Sequence, residues 1–237
     1  VALPHIGINY NKGNTMLKKE EEKLNQIKGA ITDLNKQAME TTKDVLACLE
    51  AGNIECLKDI KISAKKAHAK SVEIDNMIVT TFALYHPEAK DLREMLSYLK
   101  ITNEYVRVID NIRVFLKKFS ANCSADIEKK SILEYTTPMV KSCYEALVGI
   151  SEIIDEADHE TIEKFYQKIS IEESKTDDLY SMVEKNILHA MNENHDLSLE
   201  YFNILSALRR VERFADRTLS IANILLFAKT GRELEQL

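Results

Sequence analysis

Glycine and proline are scarce in this chain, six and three among 237 residues. Sheets of short strands need those residues at their turns, whereas the Leu, Lys, Glu, Ala and Ile that dominate here favour or tolerate helices. No apolar run approaches the roughly 20 residues that span a bilayer; IANILLFA at 221–228 is among the longest. Blocks of one charge are missing too. The 38 acidic and 32 basic residues leave a formal net charge of −6 and are mixed along the chain, which supplies no electrostatic footprint for nucleic acid or an anionic membrane. Cysteine is limited to Cys48, Cys56, Cys123 and Cys143, with no CxxC pair and no accompanying histidines. Neither a zinc site nor a disulfide scaffold is indicated, and all four are expected to be small buried hydrophobes in a reducing cytosol. These absences describe a soluble, all-α chain long enough to bury a substantial core.

What is present is helical periodicity, nearly continuous from Met16 and broken at few points. The first fifteen residues, VALPHIGINYNKGNT, hold two of the six glycines and lack the charged start and apolar centre of a signal peptide. Residues 1–15 are read as a flexible leader. Ala51-Gly52-Asn53 ends the first helix and caps the second. His86-Pro87 separates the second from the third, and SANCS at 120–124 ends the third. A fourth helix from about Asp126 passes Pro138, Asp158 caps a fifth, and NENHD at 192–196 leads to a sixth capped by Ser198. Placing Asp110 over Asp216 aligns RVID (107–110) with RFAD (213–216), and placing Asp75 over Asp177 aligns the second helix with the fifth. The chain therefore reads as two three-helix bundles related by a pseudo-twofold internal repeat, residues 16–120 and 121–237, in one compact unit.

Two helices interrupt their apolar stripes with acids. In the sixth, Leu205, Leu208, Ala215, Leu219, Ala222 and Leu226 mark a core-facing stripe, and Glu212 sits on it with Asp216 one turn further. In the fifth, the stripe of Ile162, Tyr166, Ile169, Tyr180, Ile187 and Met191 is interrupted by Glu173 and Asp177. Residues four apart stand one above the other, so the two pairs meet across one groove if these helices are antiparallel neighbours. Burial and mutual repulsion then raise their pKa values unless protons, the arginines at 209, 210 and 213, or hard cations neutralise them. ExxxD spacings also arise by chance on solvated helix faces; their recurrence on apolar stripes of consecutive helices is what favours a metal. The first half keeps only part of the pattern. Its third helix carries Leu96, Leu99, Val106, Asp110 and Val114 on one stripe, so Val106 stands where Glu212 does, and Ser71 precedes Asp75 where Glu173 precedes Asp177. A metal there is expected to be weak or missing.

The combination of HPEAKDLR (86–93), RVID, ESKTD (173–177), ERFAD (212–216) and IAN (221–223) resembles the PhoU family of phosphate-uptake regulators, over about residues 16–230. The resemblance implies the same two-bundle fold and a multinuclear cluster of iron or zinc-like metals on the ExxxD motifs. Carried onto this chain, it implicates Glu173, Asp177, Glu212 and Asp216, with Asn223 as a helper and Asp75 and Asp110 as remnants or weak ligands. It further implies a non-enzymatic, cytoplasmic negative regulator, peripheral to the inner membrane, that couples a phosphate ABC transporter to a sensor histidine kinase. Leu225 and Phe227, apolar but outside the main stripe, point to a homodimer. Three alternatives stand beside this reading. One is a PhoU-like cytoplasmic domain or companion of a sodium-phosphate cotransporter or other phosphate permease. Another is a metal-free adaptor whose acids pair with the arginines. The third, a ferritin-like di-iron oxidase, wants two ExxH motifs, and this chain offers one, Glu156 to His159.

Overall fold

The computed structural model describes residues 10–85, 87–123 and 127–232, and among them it contains helices and two short 3-10 turns but no strand. The helices are α1 (Tyr10–Glu50), α2 (Ala64–Tyr85), α3 (Ala89–Asn122), α4 (Lys129–Asp155), α5 (His159–Glu193) and α6 (Ser198–Thr230). No helix among the described residues is long and apolar enough to cross a membrane. Because α1 starts at Tyr10, residues 10–15 of the expected leader are helical; residues 1–9 lie outside the described chain.

Most helix ends follow from local chemistry. Gly52 adopts φ 64° and Gly231 φ 72°, the left-handed conformation that lets a helix terminate without a Cβ clash. Asp158 caps α5, its carboxylate accepting from the Thr161 N–H at 2.9 Å. Pro138 stays inside α4. Two expected caps are corrected. Ser198 is the first residue of α6, and its Oγ donates to the Met191 carbonyl at 3.4 Å. Asn53 does not open α2; its Oδ1 accepts from the Cys56 N–H at 3.3 Å and braces the 3-10 turn Glu55–Lys58. That turn drives Leu57 into the core, where it is 1% exposed, and burial of this side chain outweighs immediate entry into α2. The cysteine expectation is corrected with it. The reversal at Gly52 brings Cys56 back beside the end of α1, and Cys48 and Cys56 form a disulfide with Cα atoms 5.9 Å apart. Cys123 and Cys143 are free and buried.

Helices α1–α3 pack on one another, as do α4–α6, and the two bundles join where α3 lies against α6 and α1 against α4. One hydrophobic core runs through both. Antiparallel α3 and α6 are held in register by polar contacts along their length. Arg93 Nε donates to the Ala228 carbonyl at 3.1 Å, and Arg217 to Glu104 at 3.4 Å. Further along, Arg210 donates to Asn111 at 3.5 Å and Lys118 to Ser206 at 2.7 Å.

The α3 stripe that carries Asp110 is only partly buried. Leu96 is 45% exposed, and Leu99, Val106, Asp110 and Val114 are half-buried. The core side runs through Met95, Tyr98, Ile101, Tyr105, Val108 and Ile112. At the matching positions of α6, Phe202 is exposed and Leu205, Asp216 and Ser220 are half-buried, so the two stripes differ at Glu212, which is buried where Val106 is half-buried. The helices that flank them differ in length, 35 residues in α5 and 22 in α2. Leu225, offered above as a sign of a dimer, is completely buried within the chain.

Candidate metal centre

Helices α5 and α6 are joined through the three-residue turn His195–Leu197, a connection so short that they run antiparallel as neighbours. ESKTD of α5 is thereby set against ERFAD of α6. Glu173, Asp177 and Asp216 each offer a carboxylate oxygen, and these oxygens lie within 4.8 Å of one another. Glu212 stands one turn before Asp216 and deeper, at 7% exposure. Its Oε1 accepts from Arg209 at 2.7 Å, and Arg209 is seated over the Tyr180 ring, 5.1 Å from the centroid, a favourable placement for a guanidinium. The other oxygen, Glu212 Oε2, is buried with no hydrogen-bond partner. An orphaned carboxylate oxygen in a core is costly and rare.

Electrostatics state the same imbalance. Burial, then Asp216, pushes Glu212 up to about 7 in spite of Arg209. Burial raises Asp216, with Asp177 adding to the shift and Arg217, Arg209 and Arg213 opposing it. Burial also raises Glu173, reinforced by Asp177 and Asp216. For Asp177 burial again leads, and Arg209 opposes it. Two carboxylates about 5 Å apart repel by about 3 kcal/mol at an effective dielectric constant near 20, so one salt-bridged arginine does not balance four of them. A cation would. The grouped donors are all carboxylate oxygens, the set preferred by hard or intermediate divalent ions. Among the described residues, the acids that converge this way are on α5 and α6.

The remaining predicted positions fall elsewhere. Asn223 is buried at 4% exposure on α6, two turns and about 10 Å along the axis from Asp216. In the first bundle Asp75 Oδ1 accepts from Thr102 Oγ1 at 2.9 Å. Asp110 Oδ1 accepts from Arg113 Nε at 3.1 Å and from Nη2 at 2.7 Å. Glu156 Oε1 accepts from the N–H groups of Ala157 and Asp158 at 2.7 and 2.9 Å, so the lone ExxH belongs to the turn before α5. Sequence reasoning left two contributors unassigned. Tyr180, one turn beyond Asp177, could have been found by asking what shares its helix face. Thr102 carried no local signal, since its partner Asp75 lies on another helix.

The PhoU domain family model matches residues 31–115. A phosphate-specific transport system accessory protein PhoU homolog from Borreliella burgdorferi is 25% identical over 223 residues, spanning 92% of this chain and 97% of that protein. These matches support the PhoU family for this chain. A second PhoU homolog of the same description, from Archaeoglobus fulgidus, is 22% identical across 92% of this chain and 98% of its own length. The fold agrees with solved PhoU structures. The crystal structure of the regulatory protein PhoU from Streptococcus pneumoniae superposes with a TM-score of 0.73 at 21% identity, covering 92% of this chain and all of that one. PhoU from Pseudomonas aeruginosa gives 0.61 at 19% identity. The PhoU family match falls on α1–α3, the bundle poor in acids, so that match and the acidic groove of α5 and α6 are separate observations.

Proposed function

We propose that this chain is a metal-binding regulator of phosphate uptake and of the phosphate-starvation response. The observation that carries the metal is the α5–α6 groove, where three carboxylates converge and the buried Glu212 Oε2 lacks a partner. The regulatory role is supported by relatives named as accessory proteins of phosphate-specific transport systems, matched over nearly their whole length. That naming favours a free-standing accessory protein over a domain of a sodium-phosphate cotransporter.

In this reading Glu173, Asp177, Glu212 and Asp216 hold iron or zinc-like ions. The bound ions supply the positive charge that the groove lacks. The protein's own part is to present oxygens from two helices, so that occupancy ties α5 to α6, while Arg209 on Tyr180 keeps Glu212 oriented. The regulator works at the inner face of the membrane as a dimer. It couples a phosphate ABC transporter to a sensor histidine kinase and holds the kinase inactive when phosphate is plentiful. The carboxylates act as ligands rather than as catalysts.

Two measurements test the proposal. Elemental mass spectrometry of untagged protein eluted without phosphate is expected to find iron, zinc, nickel or manganese, lost in Glu212→Ala/Asp216→Ala; equal and negligible metal in both proteins would sink it. A phosphate-starvation reporter in a host lacking its own PhoU is expected to be repressed by the chain in rich phosphate. Unaltered reporter output would remove the regulatory role.

A further inference from the structure

The bonds between α3 and α6 fix which stripe of each helix faces the other: Arg93, Glu104, Asn111 and Lys118 on α3, and Ser206, Arg210, Arg217 and Ala228 on α6. With successive residues turned by about 100°, the buried Val108, Ile112 and Phe115 lie to one side of the α3 stripe. Leu96, Asn103 and Arg107 lie to the other, and all three are exposed. The internal repeat that aligns Asp110 with Asp216 carries these positions to Phe202, Arg209 and Arg213 on α6, also exposed. The solvent side of the α3–α6 seam is therefore a face two helices wide with its own approximate twofold symmetry.

Its chemistry is uneven along its length. The middle is basic: Arg107 and Arg209 have side chains 58% and 48% exposed, and Arg213 and Lys100 are exposed beside them. Opposing charges are fewer in number. Glu104 serves two arginines, Arg107 at 3.2 Å and Arg217 at 3.4 Å, and Glu212 pairs with Arg209 at 2.7 Å from the buried side, while Arg213 and Lys100 have no acid within salt-bridge distance among the described residues. The ends are apolar. Leu96 at one end and Phe202 at the other are 45% and 58% exposed, about 35 Å apart along the seam by helical rise. These two side chains project from the face rather than fill it.

We propose that this face docks on the surface of an anionic lipid bilayer, its arginines meeting headgroup phosphates and Leu96 and Phe202 entering the interface at either end. Arginine matches phosphate oxygens in a bidentate way. Exposed aromatic and aliphatic side chains flanking basic residues are the pattern of a surface-bound helix. A planar partner suits two anchors set far apart on a flat face, whereas a peptide partner would want anchors gathered in a cleft. The chain's net charge of −6 does not oppose docking, because beyond about 8 Å charges are largely screened. The face is built on α3 and α6, and it shares only Arg209 with the α5–α6 groove.

The test is flotation of the full chain with vesicles of phosphatidylcholine and phosphatidylglycerol in equal parts, against phosphatidylcholine alone. Binding to the anionic vesicles only, weakening as salt is raised, is expected. Arg107→Glu/Arg213→Glu is expected to weaken it at least roughly tenfold, and Leu96→Ser/Phe202→Ser several-fold. Arg209 is spared because it holds Glu212. A control with the same change of charge on other exposed positions, Lys65→Glu/Lys141→Glu, is expected to bind like the original. Circular dichroism and metal content of each variant separate a loss of this face from a loss of fold or of the metal centre. Equal binding to both vesicle types, or an equal loss in the control, overturns the proposal. Absence of binding by the folded protein also overturns it and leaves the face to an acidic protein partner.

Discussion

In the second bundle Glu173, Asp177 and Asp216 converge, and Glu212 beside them has one salt-bridged arginine and an orphaned oxygen. At the same four places the first bundle has Ser71, Asp75, Val106 and Asp110, and each of its two acids is answered by a protein group, Thr102 or Arg113. The backbone plan is shared, so helical position alone does not make a metal site. What distinguishes the two is the balance between carboxylates and the donors that protein supplies, set against depth. Asp110 and Arg113 have side chains that are each 42% exposed, and such a pair is worth about 1 kcal/mol or less. The first bundle holds its acids at little cost, whereas the second leaves a carboxylate oxygen buried without a partner.

Removing ligands should widen the comparison most. Asp177→Ala/Asp216→Ala is expected to lower metal affinity at least roughly hundredfold, since loss of outer partners alone costs ten- to hundredfold at metal sites. Asp75→Ala/Asp110→Ala is expected to leave it unchanged; titration calorimetry that found equal losses would erase the distinction. Grafting is the converse. Ser71→Glu/Val106→Glu gives the first bundle four acids, one of them at a position only 2% exposed. In metal-free buffer this should cost about 3 kcal/mol or more, seen as a lower melting temperature that added manganese or zinc partly restores. A melting temperature untouched by metal would show that charge count is not sufficient.

Protons are a gentler probe. Glu212 has its pKa raised from 4.5 to about 7, so in this window the native state binds more protons than the unfolded chain. Stability of metal-stripped protein is therefore highest below about 4.5 and is lost as pH rises through about 7. Urea unfolding across this range checks the slope, and a rise in stability would contradict it. Glu212→Gln should flatten the slope and stabilise the metal-free protein above neutral pH by about 1 kcal/mol. The smallest effect is expected at the surface pair of the first bundle. Arg113→Ala should change stability by about 0.5 kcal/mol or less, whereas Arg209→Ala leaves a second Glu212 oxygen unpaired and should cost more. Equal changes by thermal melting would put the two bundles on the same footing.

The acidic stripe of α6 was legible because Glu212 occupies a core register whatever packs on it, and the structure buries it there. The stripe assigned to α3 was not. Its periodicity is as good, but the sequence carries no measure of how much of α3 the shorter α2 would cover. Leu96 is exposed and Val106 half-buried, and the basic and apolar residues beside Leu96 form a surface. Mixed charge along the chain hid that surface, since its cations come from helices about a hundred residues apart.

Sequence by itself determined the helices, the repeat and which four carboxylates are candidates, because each of these rests on composition or on periodicity within a helix; the PhoU resemblance rests on motifs that are also local. Only the tertiary structure decided that Cys48 meets Cys56, that Thr102 and Arg113 answer Asp75 and Asp110, and that Glu212 Oε2 is left without a partner. Which groups a buried charge meets depends on how much of one helix its neighbours cover, a property of packing that no periodicity along one helix encodes.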